Sequence, residues 1–328
     1  MKDYDVVLAS GAEHLRNRFE ELGYRVYTSD LNYDNKRMFP NADIYVKIGK
    51  ITQLSGRRVI VIQSCTGSGP AENEQYSTSD RVVEVLLLLE MFSRPLEVEK
   101  SGHKQYLCTP VEPPKTVEVV LTFQPFALQD KCFETGEISS ARWAIETIAK
   151  ACNKVHVVSP HAPDSLDWVR SLKEKGLYRI IDVVPDLVKF AEKEFKLGKC
   201  IVVAPDEGAQ ERYKIEGFGK SRTNSFRVEL HGDLDVKGLN VVVIDDLTKS
   251  GSTLLKARDR LLDQGAKEVV LAVAHVLPLM ERGEELLERL IEMCNGKIVT
   301  SNTVFTEAFS KEHPNLCYNI VDTLVHSI

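Results

Sequence analysis

The sequence predicts an α/β fold in which parallel sheets are covered by helices, arranged as two tandem domains. Short apolar runs rich in β-branched residues alternate with longer segments of helical periodicity along the whole chain, which is the signature of βαβ units. A chain of 328 residues is also longer than one core usually serves, so two domains of roughly 150 residues are expected. The alternation breaks once and then resumes in a second half of comparable pattern, which points to duplication although the halves are not alike in residues.

The elements follow in order. VVLAS from Val6 reads as a buried strand, HLRNRFEELG as a helix, RRVIVIQS from Arg57 as a strand and SDRVVEVLLLLEMF from Ser79 as a long helix. The segment Pro95 to Lys115 has four prolines, mixed charge and no periodicity, and reads as a long connection or small insertion in which a hairpin is possible. VEVVLTF, ARWAIETIAKACN and KVHVVS complete the first half, and the boundary is expected near residue 158, giving domains 1–158 and 159–328. The second half runs through SLDWVRSLKEKG, CIVVAP, NVVVIDD, TLLKARDRLLDQGA, EVVLAVAHVL, GEELLERLIEMCNG and KIVTSN, with Gly265 and Gly296 where a left-handed helix cap belongs.

Composition narrows the function. A hydrophobic content of 43% with 27% charged residues suits a globular enzyme, and a net charge of -6 supplies no general field for nucleic acid. The longest apolar stretch, Val82 to Leu89, is too short to span a bilayer, and MKDYDVV lacks the form of a signal peptide, so a cytoplasmic protein without a membrane partner is expected. Seven scattered cysteines with no CxxC pair read as reduced structural thiols. His275, Trp143 and Trp168 read as structural, and TGSGP from Thr66 as a turn without a phosphate-loop lysine.

Chemistry is expected beyond the carboxyl ends of strands, where strand order reverses. In the second half His161 follows KVHVVSP, Asp206 follows CIVVAP, and the loop Asp245 to Thr253 follows NVVVI. In VVVIDDLTKSGSTLLKAR, Lys249, Ser250, Gly251, Ser252 and Thr253 bring backbone N–H groups and hydroxyls to a helix N-terminus, a ready phosphate site. Asp245 and Asp246 cannot bind phosphate but can accept from vicinal sugar hydroxyls, so the loop suits a ribose phosphate. An acidic pair that merely opens a helix is an equally good reading of the loop alone.

VVVIDDLTKSGSTL resembles the ribose-phosphate loop of type I phosphoribosyltransferases and of ribose-phosphate pyrophosphokinases. The remaining motifs resemble the latter family over nearly the whole length except 95–115: SGAEHLRNRFEELG, FPNAD, RRVIVIQS, QPFALQDK with ISSAR, VVSPHA, VVAPDEGAQER, GKSR and IVTSNTV. The resemblance implies two phosphoribosyltransferase-like domains and transfer of the diphosphoryl group of ATP to ribose 5-phosphate, giving 5-phosphoribosyl 1-diphosphate and AMP. By the same resemblance Asp245 to Thr253 hold ribose 5-phosphate, and His161 and Asp206 are magnesium-site positions. Phe39, Asn41 and Asp43 hold adenine in a neighbouring subunit, which implies a homodimer or larger homo-oligomer. Gln129 and Asp130 lie on the ATP side, and Lys220 and Arg222 belong to a catalytic loop. Such charges suit a reaction that asks mainly for alignment and neutralisation of phosphate.

Several positions depart from the family pattern. Lys249 replaces an acidic residue and Ser252 a glycine, Leu128 stands where an arginine is usual, and Ser159-Pro160 replace an acidic residue and leucine before His161. These departures keep two alternatives open: a non-catalytic homologue that binds nucleotide and regulates a true synthetase, and transfer onto a related sugar phosphate.

Overall fold

The computed structural model describes residues 2–67, 75–161, 164–224, 227–231, 234–278 and 284–328, with the backbone alone for Gly219–Asn224 and Arg227–His231. The chain divides into two compact units, one running to Ile181 and the other from Asp182 to Ile328.

The first unit contains β1 (Asp5–Leu8), α1 (Arg16–Glu21), β2 (Val26–Thr28), β3 (Arg58–Ser64), α2 (Thr78–Ser93), β4 (Leu96–Gly102), β5 (Gln105–Pro110), β6 (Thr116–Phe123), α3 (Ser140–Ala151), β7 (Lys154–Val158), α4 (Asp167–Glu174) and β8 (Tyr178–Ile181). Its sheet is parallel, in the order β2-β1-β3-β6-β7-β8. Strand order reverses between β1 and β3. RVIVIQS is continuously apolar through Ile62 because helices cover both faces of a parallel sheet, and Val59 to Ile62 have no exposed surface. α2 starts at a capping box between Ser77 and Asp80 and buries Val85, Leu88, Leu89 and Phe92 in the same core as Ile145 and Ile148 of α3. One charged cluster is built into the sheet. Glu118 of β6 accepts from Arg58 Nε at 2.8 Å and pairs with His156 Nε2 at 2.7 Å. Burial alone would raise its carboxyl pKa, but these two hydrogen bonds prevail and hold it at about 2.

The second unit contains α5 (Val184–Glu194), β9 (Cys200–Val203), α6 (Glu207–Tyr213), β10 (Gly219–Asn224), β11 (Arg227–His231), β12 (Asn240–Thr248), α7 (Ser252–Asp263), β13 (Glu268–Val276), α8 (Glu285–Met293), β14 (Ile298–Ser301), β15 (Cys317–Tyr318) and α9 (Val321–Ser327). Its sheet is again parallel, in the order β15-β14-β13-β12-β9, while β10 and β11 form a separate antiparallel ribbon. β12 and β13 are its longest strands, and Val241, Val243, Leu271 and Val273 pack with Leu254, Leu261 and Leu290 into one core. The sequence expectation of an α/β fold with parallel sheets and flanking helices is met.

Three features differ from that expectation. The first compact unit extends past residue 158 to Ile181, because β8 pairs with β7 and α4 closes over it. α5 was not expected, and of the apolar residues in VPDLVKFAEKE only Val184, Leu187 and Ala191 are buried. The segment within 95–115 folds as the hairpin β4–β5, held shut at its root by the Val111 N–H to Pro95 carbonyl bond of 2.9 Å. All seven cysteines are free, and burial pushes the Cys152 and Cys317 thiols up to about 12, in keeping with inert packing.

Candidate active site

The second unit places its polar groups at the carboxyl end of β12. Val241 to Ile244 are buried on both faces, after which Asp245 is half-buried and Asp246 is only 2% exposed. A carboxylate that deep needs a partner, and the Arg212 guanidinium of α6 supplies it in an ion pair. The Asp246 N–H donates to Asp245 Oδ1 at 2.9 Å. Asp206, the N-cap of α6, accepts from the Ala209 N–H at 3.1 Å. Burial, then the adjacent Asp246, then Asp206 hold the Asp245 carboxyl well above the ordinary carboxylate range, with Arg212 pulling the other way. One helix and one strand therefore bring Asp206, Arg212, Asp245 and Asp246 together. Arg212 carried no role in the sequence reading, although it lies in the VVAPDEGAQER motif. Its partner is distant in sequence, so no local spacing reveals the pair.

The loop after Asp246 turns into α7 at Gly251, which has φ +69° and serves as the helix N-cap. Its N–H donates to Thr248 Oγ1 at 2.9 Å, and a Cβ built there would lie 2.2 Å from Leu290 Cδ1. Both backbone conformation and space demand glycine at this position. Ser252, where the family pattern has glycine, stands in the first turn of α7, so its Cβ meets no left-handed constraint. Ser250 and Ser252 are exposed, and Lys249 and Thr253 are half-buried. Together they give the open N–H groups of the first helical turn two accessible hydroxyls and a cation.

The other expected positions are distributed as follows. In the second unit, Lys220 and Arg222 lie on β10, paired in the backbone with Leu230 and Val228 of β11, and their side chains are outside the described part. In the first unit, Phe39, Asn41 and Asp43 share one tight turn: the Phe39 N–H donates to the Asp43 carbonyl at 2.9 Å, and Asn41 Nδ2 to Asp43 Oδ2 at 2.6 Å. Phe39 sits between the rings of Tyr33 and Tyr45, while Asn41 and Asp43 are exposed. Gln129 and Asp130 are held by backbone: the Gln129 carbonyl accepts from the Ala141 N–H at 3.2 Å, and the Asp130 carbonyl from Trp168 Nε1 at 3.1 Å. Trp168 is thus structural, as expected. Asp130 is buried, and Leu128 beside it is 52% exposed. His161 follows β7 and is half-buried, after Ser159 in a left-handed conformation at φ +35°. Of the TGSGP turn, residues 68–70 lie outside the described residues.

One expectation fails in an instructive way. The candidate loop does not sit at a reversal of strand order, because the sheet of the second unit runs in one direction from β15 to β9. The reversal lies in the first unit, and side chains fill it. Glu84 of α2 accepts from the Ser10 N–H at 3.0 Å and from Gln63 Nε2 at 2.8 Å, and Gln63 Oε1 accepts from the Gly11 N–H at 2.9 Å. Arg81, only 1% exposed, donates to the Ser10 hydroxyl and stacks over the Tyr76 ring at 4.1 Å.

A phosphoribosyl transferase domain is matched over residues 199–312. A ribose-phosphate pyrophosphokinase of Pyrococcus abyssi is 27% identical over 311 residues, covering 92% of each chain. The enzyme of the same name from Pyrococcus furiosus is 26% identical over 92% of this chain and 94% of the relative. The fold matches a phosphoribosylpyrophosphate synthetase structure from Mycobacterium smegmatis with a TM-score of 0.68 and 19% identity, over 99% of this chain and 97% of that one. The chain is thus similar to ribose-phosphate pyrophosphokinases over almost its whole length.

Proposed function

We propose that this diphosphokinase transfers the βγ-diphosphoryl group of ATP to the anomeric hydroxyl of ribose 5-phosphate, releasing AMP and 5-phosphoribosyl 1-diphosphate. The observation that carries the reading is the Asp245–Thr253 loop, where acidic groups and an open helix N-terminus meet at the left-handed Gly251. The 5-phosphate takes the N–H groups and hydroxyls of Ser250, Ser252 and Thr253, with Lys249 adding charge. Asp245 accepts from the sugar hydroxyls. Asp246, engaged by Arg212, holds the shape of the loop rather than the sugar.

Magnesium fits the oxygen donors of Asp206 and Asp245, whose mutual repulsion a cation relieves; when bound it supplies charge neutralisation on the phosphate oxygens, and it keeps several waters. His161 is the family's second position for it. Lys220 and Arg222 neutralise the charge that spreads over the transferred phosphoryl oxygens. Gln129 and Asp130 serve ATP. The exposed Phe39–Asp43 turn presents its ring and amide to the adenine of a neighbouring subunit in a homodimer or larger homo-oligomer. The proposed setting is the cytoplasm, where seven free cysteines stay reduced.

A second reading is favoured by Leu128, an exposed leucine where the family pattern has arginine: a homologue that binds nucleotide without turnover. The test is to mix the protein with ATP, magnesium and ribose 5-phosphate and to follow AMP and the 1-diphosphate together. Sugar-dependent AMP that disappears in Lys220→Ala supports the transfer reaction. ATP binding without AMP supports the second reading and overturns the first.

A further inference from the structure

Among the exposed apolar side chains of the first unit, Tyr33 stands apart. It is 84% exposed, yet its ring lies 6.4 Å from that of Phe39 at an interplanar angle of 49°. Two rings that merely packed together would cover each other, as aromatic pairs in a core do. Here the pair is splayed, and the Tyr33 side of it stays open to solvent.

The backbone beneath both rings is fixed. Asn32, only 6% exposed, accepts through Oδ1 from the Asp34 N–H at 2.8 Å and the Lys36 N–H at 3.1 Å, and donates through Nδ2 to the Met38 carbonyl at 3.2 Å. One buried amide thus shapes the turn that carries Tyr33 and ties it to the residue before Phe39. Asn35 completes that turn in a left-handed conformation at φ +57°, and the Asn32 N–H donates to the Lys36 carbonyl at 2.8 Å. The Tyr45 N–H donates to the Arg37 carbonyl at 2.7 Å, and the Tyr45 ring braces Phe39 edge-to-face at 5.5 Å. A buried anchor under a ring left in water is the arrangement of a recognition surface rather than of a core. Tyrosine suits such a place, because its two χ angles cost little to order on binding.

The spacing indicates what fits. A flat ring in contact with both aromatics needs about 7 Å between them, two contacts of about 3.5 Å each. A small rotation of the exposed Tyr33 ring takes up the tilt and the remaining distance, while Phe39 stays braced. Asn41 and Asp43, exposed on the Phe39 turn, offer an amide and a carboxylate to the N–H groups and ring nitrogens along the edge of such a ligand. A planar heterocycle with an amino group, the base of a nucleotide, meets both demands. A sugar lacks the flat faces.

We propose that Tyr33 is a specificity-determining residue that closes on the base of ATP from the side opposite Phe39, so that the adenine is gripped by a two-ring clamp. This rests on the reading of Phe39–Asp43 as the adenine turn and makes that site two-sided. Stacking acts on the base alone, so Tyr33 governs affinity for the nucleotide and leaves the sugar phosphate unaffected.

The test is equilibrium binding of ATP and, separately, of ribose 5-phosphate to the full chain and two variants. Tyr33→Ala should weaken ATP binding by about fivefold to a hundredfold, the range of a lost base–aromatic stack. Its affinity for ribose 5-phosphate and its thermal midpoint should stay as in the native protein, since the side chain is 84% exposed. Tyr33→Phe should recover the native ATP affinity, because the ring and not the hydroxyl holds the base. ATP affinity unchanged in Tyr33→Ala, or not recovered in Tyr33→Phe, overturns the clamp. So does a parallel loss of ribose 5-phosphate affinity, which would make Tyr33 a folding residue. A native protein that binds no ATP overturns the adenine reading itself and the clamp with it, whereas native binding indifferent to Tyr33 overturns the clamp alone.

Discussion

The two units share a parallel sheet flanked by helices, yet their carboxyl edges are finished in opposite ways. In the first unit the reversal point between β1 and β3 is closed by Ser10, Gln63, Arg81 and Glu84, which satisfy one another, the last three buried and Ser10 half-buried. In the second, Asp245, Lys249, Ser250, Ser252 and Thr253 stay at least partly exposed around the one buried pair, Arg212–Asp246. A satisfied network rigidifies a fold and leaves nothing for a ligand, whereas crowded carboxylates beside open N–H groups leave charge for a substrate to answer. The same architecture thus closes the carboxyl edge at the reversal point of the first unit and leaves that of the second partly open, according to which polar groups find partners inside the chain.

The comparison is tested most severely at Arg212. Arg212→Leu leaves Asp246 buried without its partner and should cost about 3–5 kcal/mol of stability in the second unit, read as a lower thermal midpoint, together with loss of ribose phosphate binding. Glu84→Leu should destabilise the first unit without changing the KM for ribose phosphate in the fraction that remains folded. If that KM rises instead, the first edge is not closed as described here. Gly251→Ala comes next: the strained backbone and the contact with Leu290 together should cost about 4 kcal/mol. Its signature is a ribose phosphate KM raised at least tenfold with that for ATP little changed.

Glu118 supplies a pH-dependent contrast that belongs to the first unit alone. Its folded pKa of about 2 lies below the ordinary 4.5, so its stabilisation is fully present above about pH 4.5 and lost as pH falls toward 2. The shift corresponds to about 3 kcal/mol, so the difference in unfolding free energy between the native protein and Glu118→Gln should shrink across that window. The smallest effect is expected at Ser252→Gly. Because Ser252 lies within the first helical turn, glycine there should cost no more than about 1 kcal/mol and change the ribose phosphate KM only a few-fold. A large gain in activity would show that Ser252 obstructs the phosphate.

Much of this contrast was legible in the residues. Continuous apolar runs such as VVVI and RVIVI announce strands buried on both faces, and the small residues after Ile244 announce the turn into α7. β8 escaped because YRII is only four residues long, and the boundary near 158 moved with it. α5 escaped because its buried face is narrow. The hairpin showed no readable periodicity because both of its faces are exposed. Arg212 could not be assigned because an ion pair between α6 and β12 is fixed by tertiary packing. The point of strand reversal misled for a related reason: topology offers a crevice, but only side chains decide whether it is filled.

The seat of Gly251 against Leu290 has a consequence for how this sequence can drift. The absent methyl at 251 and the branched end of Leu290 occupy one volume, so a change at either position is felt at the other. Shortening Leu290 would remove the clash but not the left-handed φ of +69°, which still favours glycine at 251. The candidate phosphate loop is thereby tied to a hydrophobic residue on α8, and a change in the packing of that helix should surface as altered affinity for a sugar phosphate.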